Sequence, residues 1–343
     1  MTAASSTLPQ RPAASADARI LISVIVPYHN AERTIQRTLE SLSAQSIGEA
    51  VEYLLVNDGS TDRSEEIVEL YLRLDRKMAE RTVLTAHQFR RGSASAYRTG
   101  VEKARGEYLI KCDADDMMHP DALSTLLQAA AGADIVAAPH YELRAKGRRR
   151  IRRSKIARGL NRMRIDTAGF SLCNKLIRRS LVTDNDLLPT EGIDFWEDLS
   201  VSCRAIALAR SISTTDTPVY YYCHDTKQPS MTISGRTETI VRDRMVYALL
   251  MEKWFVDHKL SGRYGRFLDS LKLAAKIKLL QPPHPEPTRW KDTFTEVNGK
   301  IWRSGGIRLS AKLYCWLAYK LPASLFRKIT GWIYGIIADR DNA

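Results

Sequence analysis

Between residues 20 and 138 the chain switches repeatedly between short β-branched apolar runs and stretches whose apolar residues recur every three or four positions. The runs are 20–26 (ILISVIV), 51–56 (VEYLLV), 81–86 (RTVLTA), the YLIKC that follows Gly106, and 133–138 (ADIVAA). Continuous apolar runs of this length are expected of strands covered on both faces. The stretches between them carry the stripes Ile35, Leu39, Leu42, then Ile67, Tyr71, Leu74, Met78, then Tyr97, Val101, Ala104, each one face of a helix. This alternation predicts an α/β fold, a mostly parallel sheet with helices on both sides. Asn30 is expected to cap the first helix, and Asp62 with Glu65 to form a capping box for the second.

The alternation stops near Pro139. A basic segment follows, then NKLIRRSLV (174–182), a Trp-Glu-Asp turn, a helix over about 199–209 and a strand over 219–223. From residue 236 the pattern is helical, interrupted by the Pro-rich 281–287. The expected organisation is a tail over 1–18, an α/β domain over 19–235 and a helical region over 236–343. The tail is rich in Ala, Ser, Thr and Pro and lacks the apolar block of a secretory signal. No stretch has the ~18–20 uninterrupted apolar residues of a membrane span, which points to a soluble or peripheral protein. Five cysteines without a CxxC pair make no disulfide framework; buried thiols in a reducing cytoplasm are expected.

Three acidic clusters follow one another: Asn57-Asp58-Gly59-Ser60, Asp113-Ala114-Asp115-Asp116 and Trp196-Glu197-Asp198. The first two lie directly after strand-like runs, where open α/β sheets bind ligands. Asp58 there can accept hydrogen bonds from a base or a ribose, although NDGS is also a common turn. Asp113 and Asp115 bring like charges together, which calls for a cation; Mg²⁺ or Mn²⁺ bridging carboxylates to a diphosphate suits them. Asp116 and Asp121 are explained as acids at a helix start. Glu197 and Asp198 either complement a helix dipole or, beside Phe195 and Trp196, supply a general base. Trp196 is either a sugar-stacking surface or a core residue.

Together these segments resemble the family 2 glycosyltransferases with the GT-A fold. The resemblance is carried by SVIVPYHNAERTIQRTLESLSAQ, VNDGSTDRS, GSASAYRTGVEKARGEYLIKCDADD with HPDAL, and NKLIRRSLV before WEDLS, and it covers roughly residues 20–233. It implies inverting transfer of a sugar from a nucleotide-diphosphate donor, UDP-linked by analogy, to an acceptor hydroxyl. By the same resemblance Pro27 and Tyr28 border the nucleobase pocket, Asp58 binds the base and Arg98 contacts the nucleotide. Asp113 faces the ribose or the metal, Asp115 binds the metal, and Asp198 is the catalytic base, with Trp196 and Glu197 on the acceptor or sugar side. His224 is a further metal candidate, and Lys175, Ser230 and Thr232 are phosphate candidates. The acceptor expected is a surface glycan or glycolipid. A metal-dependent nucleotidyltransferase and a non-catalytic nucleotide-sugar or polyanion-binding protein are the alternatives.

The chain's net charge of +13 is concentrated: eleven Lys and Arg and no acid lie between Arg144 and Arg164. This segment is read as a site for an anionic acceptor, as a contact for anionic lipid, or as a solvated loop. It contains no aromatic residue for base stacking, which argues against nucleic acid. In 313–337, Trp316, Tyr319, Phe326, Trp332 and Tyr334 alternate with cations, a pattern shared by an interfacial helix, packing on the catalytic domain and subunit association. The expected location is the cytoplasm or the inner face of the membrane.

Overall fold

A computed structural model of the chain describes residues 19–144, 148–153, 156, 159–165, 169–223, 238–281 and 284–331. The contacts divide these into two compact units. The first comprises the described residues within Met1–Arg152, Leu172–Gly192 and Ala209–Thr226; the second, those within Arg153–Ser171, Ile193–Leu208 and Lys227–Ala343.

In the first unit the elements run β1 (Ile22–Tyr28), α1 (Ile35–Ser43), β2 (Val51–Asn57), α2 (Ser64–Leu74), α3 (Arg76–Glu80), β3 (Thr82–Ala86), α4 (Ser93–Lys103) and β4 (Tyr108–Lys111). They continue with β5 (Met117–Met118), α5 (Ala122–Ala130), β6 (Ile135–Ala137), β7 (His140–Arg144), β8 (Arg148–Arg152), β9 (Lys175–Arg178), α6 (Arg179–Thr183), β10 (Ile212–Thr214) and β11 (Tyr220–Cys223). The main sheet has the order β10-β6-β9-β4-β1-β2-β3. All neighbours are parallel except β9, which runs antiparallel to both β4 and β6. The α/β expectation is met.

The most apolar runs occupy the middle of this sheet. Every residue of β2 is buried, whereas the edge strand β3 alternates between covered and exposed positions. Ile22, Val24, Val26, Tyr53, Leu55 and Leu39 belong to one core; fully burying an Ile or Leu side chain contributes about 1.5–3 kcal/mol. Helix α4 lies so close to β1 that a Cβ on Gly100 would sit 2.3 Å from Ile25 Cγ2. Two expected caps differ. Asn30 has φ +49° and its Oδ1 accepts from Thr61 N, tying it to the acidic turn, and α1 begins only at Ile35. The N-cap of α2 is Arg63, and Asp62 instead accepts from Ser64 N and Glu32 N, so no capping box with Glu65 forms.

A second sheet of order β5-β11-β7-β8 continues past Pro139, where the sequence pattern breaks off. Part of the basic segment is therefore strand β8, paired antiparallel to β7 along its length.

The second unit is helical: α7 (Glu197–Leu208), α8 (Glu238–Asp257), α9 (Ser261–Lys276), α10 (Pro287–Asp292) and α11 (Leu309–Lys320), with 3₁₀ turns at Leu160–Arg162, Ile277–Leu280 and Thr295–Arg303. Val241, Leu273, Leu279, Trp290, Ile301 and Phe326 form its core. Phe326, in the aromatic-cationic C-terminal stretch, is thus a packing residue, while Leu313, Tyr319 and Leu325 are exposed. Among the described residues no helix is long and apolar enough to cross a membrane. The five cysteines are buried, as expected, and none is in a disulfide.

Candidate active site

The turn after β2 is built around Asp58. One carboxylate oxygen accepts from His87 Nδ1 and Arg91 N, both at 2.8 Å, and the other from Gly92 N at 2.8 Å. The Asp58 backbone N–H donates to the Tyr28 carbonyl at 2.8 Å, joining the turn to the end of β1. Gly59 has φ +63°, and a Cβ there would lie 2.6 Å from the backbone of Phe89 and Arg90. Only glycine lets the two loops approach this closely. Asp58 is buried, and in this structure its carboxylate organises residues 87–92. A cavity of about 480 Å³ opens alongside, lined by His29, Asn57, Gly59, Ser60, His87 and Phe89 among others. Pro27 lies in β1 opposite Val56. The Tyr28 ring belongs to the core, and burial, followed by the charges of Glu65 and Glu69, pushes its hydroxyl well up.

Asp113, Ala114, Asp115 and Asp116 leave the C-terminal end of β4. Asp113 N donates to Tyr220 Oη at 3.1 Å; its carboxylate lies 3.1 Å from the buried Lys111 Nζ and accepts from Cys173 Sγ at 3.3 Å. Burial, then the charge of Asp113, raises the Asp115 carboxyl to about 6, against the opposing Arg37 and Lys111. Asp116 is buried and accepts from Tyr220 Oη (2.8 Å) and Cys223 N (2.7 Å). Burial, followed by Asp115 and Asp113, pushes its carboxyl well up. The helix-start explanation of Asp116 is therefore replaced: this acid anchors β11, and α5 begins six residues later.

Arg98, on α4, donates to the Pro189 carbonyl at 3.1 Å and lies 3.8 Å from Glu191. Lys175 is fully buried in β9 and its Nζ donates to Asn174 Oδ1 at 2.9 Å, which rules out a surface position. His224, Ser230 and Thr232 lie outside the described residues.

Trp196, Glu197 and Asp198 belong to the second unit. Trp196 has φ +80°, and Glu197 and Asp198 occupy the first turn of α7, where their charge complements the helix N-terminus. Helix α8 supports the turn: Asp243 accepts from Phe195 N at 3.4 Å, Tyr247 Oη donates to the Ile193 carbonyl at 3.0 Å, and Arg244 lies over the Trp196 ring. Arg244 also reaches Phe195, at 5.3 Å from its ring centroid. Its Nε is buried without a hydrogen-bond partner, and burial draws the guanidinium down to about 9.

His87 and Arg244 were not singled out by the sequence, and Asp116 was read only as a helix-start acid. Asp116 had a signal, the third acid of its cluster; Arg244, inside a long helix, had none. No group of three or more metal-ligating side chains is assembled among the described residues. The Asp113–Asp115 pair nevertheless fits a hard divalent ion, since Mg²⁺ commonly takes one or two carboxylates and completes its shell with substrate phosphate and water. The mutual repulsion and burial that raise Asp115 are what such an ion would relieve.

Residues 23–185 match the profile of the family described as Glycosyl transferase family 2. EpsH of Bacillus subtilis (strain 168) is 32% identical over 213 residues, 59% of this chain and 60% of that protein. The match thus spans about 60% of the relative's length. Among solved structures, S. aureus TarS 1–349 in complex with UDP superposes with a TM-score of 0.58 at 21% identity, over 86% of this chain and 80% of that one. The mannosyltransferase PcManGT from Pyrobaculum calidifontis, in complex with GDP-Man and Mn²⁺, gives 0.53 at 19% identity, over 94% and 87%. These two likenesses concern the fold.

Proposed function

We propose that this chain, whose residues 23–185 match glycosyl transferase family 2, moves a sugar from a nucleotide-diphosphate donor to an acceptor hydroxyl with inversion at the anomeric carbon. The observation that carries this reading is that Asp58 and Asp113–Asp115 follow the C-terminal ends of β2 and β4, the two parallel neighbours of β1 in one sheet, the ligand-binding end of such folds. Asp58 and the loop it organises form the nucleoside side. Asp113 and Asp115 would hold Mn²⁺ or Mg²⁺, which supplies charge neutralisation on the departing diphosphate. Asp198 takes the acceptor proton as the oxygen attacks opposite the leaving group, through an oxocarbenium-like transition state. Lys175, Ser230 and Thr232 remain phosphate candidates and His224 a metal candidate.

UDP is favoured as the nucleotide by the TarS complex, and Mn²⁺ by the mannosyltransferase complex, whose GDP-Man shows that the fold also accommodates another base. A surface polysaccharide or glycoconjugate is the proposed product. The proposed catalytic domain is 19–235, with 236–343 as a helical region, acting in the cytoplasm or at the inner membrane face. The test is a screen of UDP- and GDP-sugars with Mn²⁺ or Mg²⁺. Release of nucleoside diphosphate supports transfer; release of pyrophosphate would mean nucleotidyl transfer instead, and donor binding without any release would mean a binding protein.

A further inference from the structure

The β7–β8 hairpin turns the most basic part of the sequence into a displayed row of side chains. In the antiparallel register Tyr141 faces Ile151, Leu143 faces Arg149, and Glu142 faces Arg150, so Arg149 and Arg150 emerge on opposite faces of the strand. β11 lies parallel on the other side of β7 and sets Tyr221 beside Tyr141. The rings of Tyr141 and Tyr221 stack at 5.1 Å and 14°, and Tyr221 stacks in turn on His119 at 6.1 Å and 30°. Arg149 places its guanidinium 5.9 Å from the Tyr221 centroid. A guanidinium resting on a ring keeps its in-plane N–H donors available, and a ring held by two neighbours limits the freedom that binding must remove. Arg152 is paired with Glu142 at 2.6 Å. Arg149 and Arg150 are exposed, and neither has an acid within ion-pair reach among the described residues.

The same strand fastens this row to the acidic turn. Tyr220 and Cys223 of β11 hold Asp116, and Tyr220 accepts from Asp113 N, while the next residue, Tyr221, carries the ring stack on the opposite face. The cations are therefore carried on the same sheet whose strand β11 holds the acidic turn.

We propose that the β7–β8 hairpin is a docking edge for an acceptor glycan bearing phosphate or carboxylate groups, a reading that rests on the glycosyl transfer proposed above. The shared chemistry is an oxyanion met by guanidinium donors. Single-stranded nucleic acid fits less well, because the central ring, Tyr221, is already taken up by Tyr141, His119 and Arg149. A membrane plane fits less well, because Arg149 and Arg150 point to opposite sides and Ile151, 49% exposed, is the one strongly exposed aliphatic among the described hairpin residues. Arginines on an edge strand also discourage pairing with other strands, but that role needs charge alone and is indifferent to Tyr221.

The experiment measures binding of the full chain to poly(glycerol phosphate), polygalacturonate and neutral dextran, at low and physiological salt. Phosphatidylglycerol vesicles and oligo-dT serve as competing partners, and UDP with Mn²⁺ is titrated in parallel. The wild type should bind one or both acidic polymers and not dextran. R149Q/R150Q should weaken that binding about 10-fold or more, with loss of its salt dependence. Y221L, with charge unchanged, should weaken it several-fold. Both variants should keep the UDP–Mn²⁺ affinity and the circular dichroism of the wild type. Undiminished polymer binding by R149Q/R150Q, or tighter binding of vesicles or oligo-dT than of both acidic polymers, overturns the assignment. Wild type that binds UDP–Mn²⁺ but no acidic polymer overturns the hairpin assignment alone. Wild type that binds the polymers but not UDP–Mn²⁺ overturns it through its premise.

Discussion

The guanidinium of Arg244 lies 4.3 Å from the centroid of the Trp196 ring, beneath the turn that leads into Glu197 and Asp198. Trp196 holds a left-handed backbone, φ +80°, that a bulky residue adopts only when its surroundings enforce it. The cation and the hydrogen bonds from Phe195 to Asp243 and from Tyr247 to Ile193 supply that enforcement.

Replacing Arg244 by Met keeps much of the volume and removes the cation. Folding stability should change little or rise, because its buried Nε has no hydrogen-bond partner among the described residues and burying a charge is costly. Turnover should fall about 10²-fold, the scale of a catalytic group displaced by around 1 Å. Thermal denaturation together with steady-state kinetics checks this; a variant with unchanged kcat would mean that Arg244 does not position the turn.

Asp198→Asn should abolish sugar transfer and leave UDP–Mn²⁺ affinity unaltered, since an amide cannot take the acceptor proton. Calorimetric titration of UDP beside the transfer assay reads both quantities. Normal turnover by this variant would remove Asp198 as the base.

Gly59→Ala should destabilise the first unit by about 3 kcal/mol. Roughly 1–2 comes from the left-handed φ and the rest from overpacking against the backbone of Phe89 and Arg90. Because this strain falls on the loop that Asp58 organises, nucleotide affinity should fall with it. Urea denaturation and UDP titration give the two numbers.

Asp116→Asn turns an NH₂ toward one of the two donors, Tyr220 Oη or Cys223 N, that the carboxyl now satisfies. A cost of about 1–3 kcal/mol is expected. Differential scanning calorimetry would show it, and a variant as stable as the wild type would contradict the anchoring role.

Lys276 gives a pH signature in the second unit. Its Nζ lies 2.7 Å from the Thr293 carbonyl, 3.2 Å from that of Trp290 and 4.0 Å from the Trp290 ring centroid, and also donates to Asn298 Oδ1. Burial outweighs these acceptors and draws the amine from 10.5 down to about 8. Between those values the unfolded chain binds more protons than the native one, so this group's contribution to stability rises with pH across the window and is flat below it. The stability of the wild type relative to K276M should increase as the pH climbs from about 8 to about 10, as read by urea denaturation of both proteins. A constant difference would show that Lys276 does not titrate there.

Much of the fold was legible because its signals are local. The β2 run and the stripe Ile35, Leu39, Leu42 lie where a period-counting reader places them, since burial on two faces and on one leave different imprints. Asn30 was misread because turn formers and helix caps draw on the same short polar side chains; its partner, Thr61, is 31 residues away. The basic segment left open a solvated loop as well as a binding surface. Arg148–Arg152 pairs with His140–Arg144, so that part of it is a strand, a fact set by hydrogen bonds between strands.

The chain by itself determined the alternation of strand and helix, the acids at strand ends and the family that these motifs resemble over residues 23–185, because each is written in residues adjacent in sequence. Only the tertiary structure decided how the acids differ: Asp58 gathers a loop, Asp115 is left half-buried against Asp113, and Asp116 ties down a strand that begins 104 residues later. Three carboxylates have the same intrinsic chemistry. Their roles diverge through burial and through which donors the fold brings within about 3 Å, a distance that spacing along the chain does not specify.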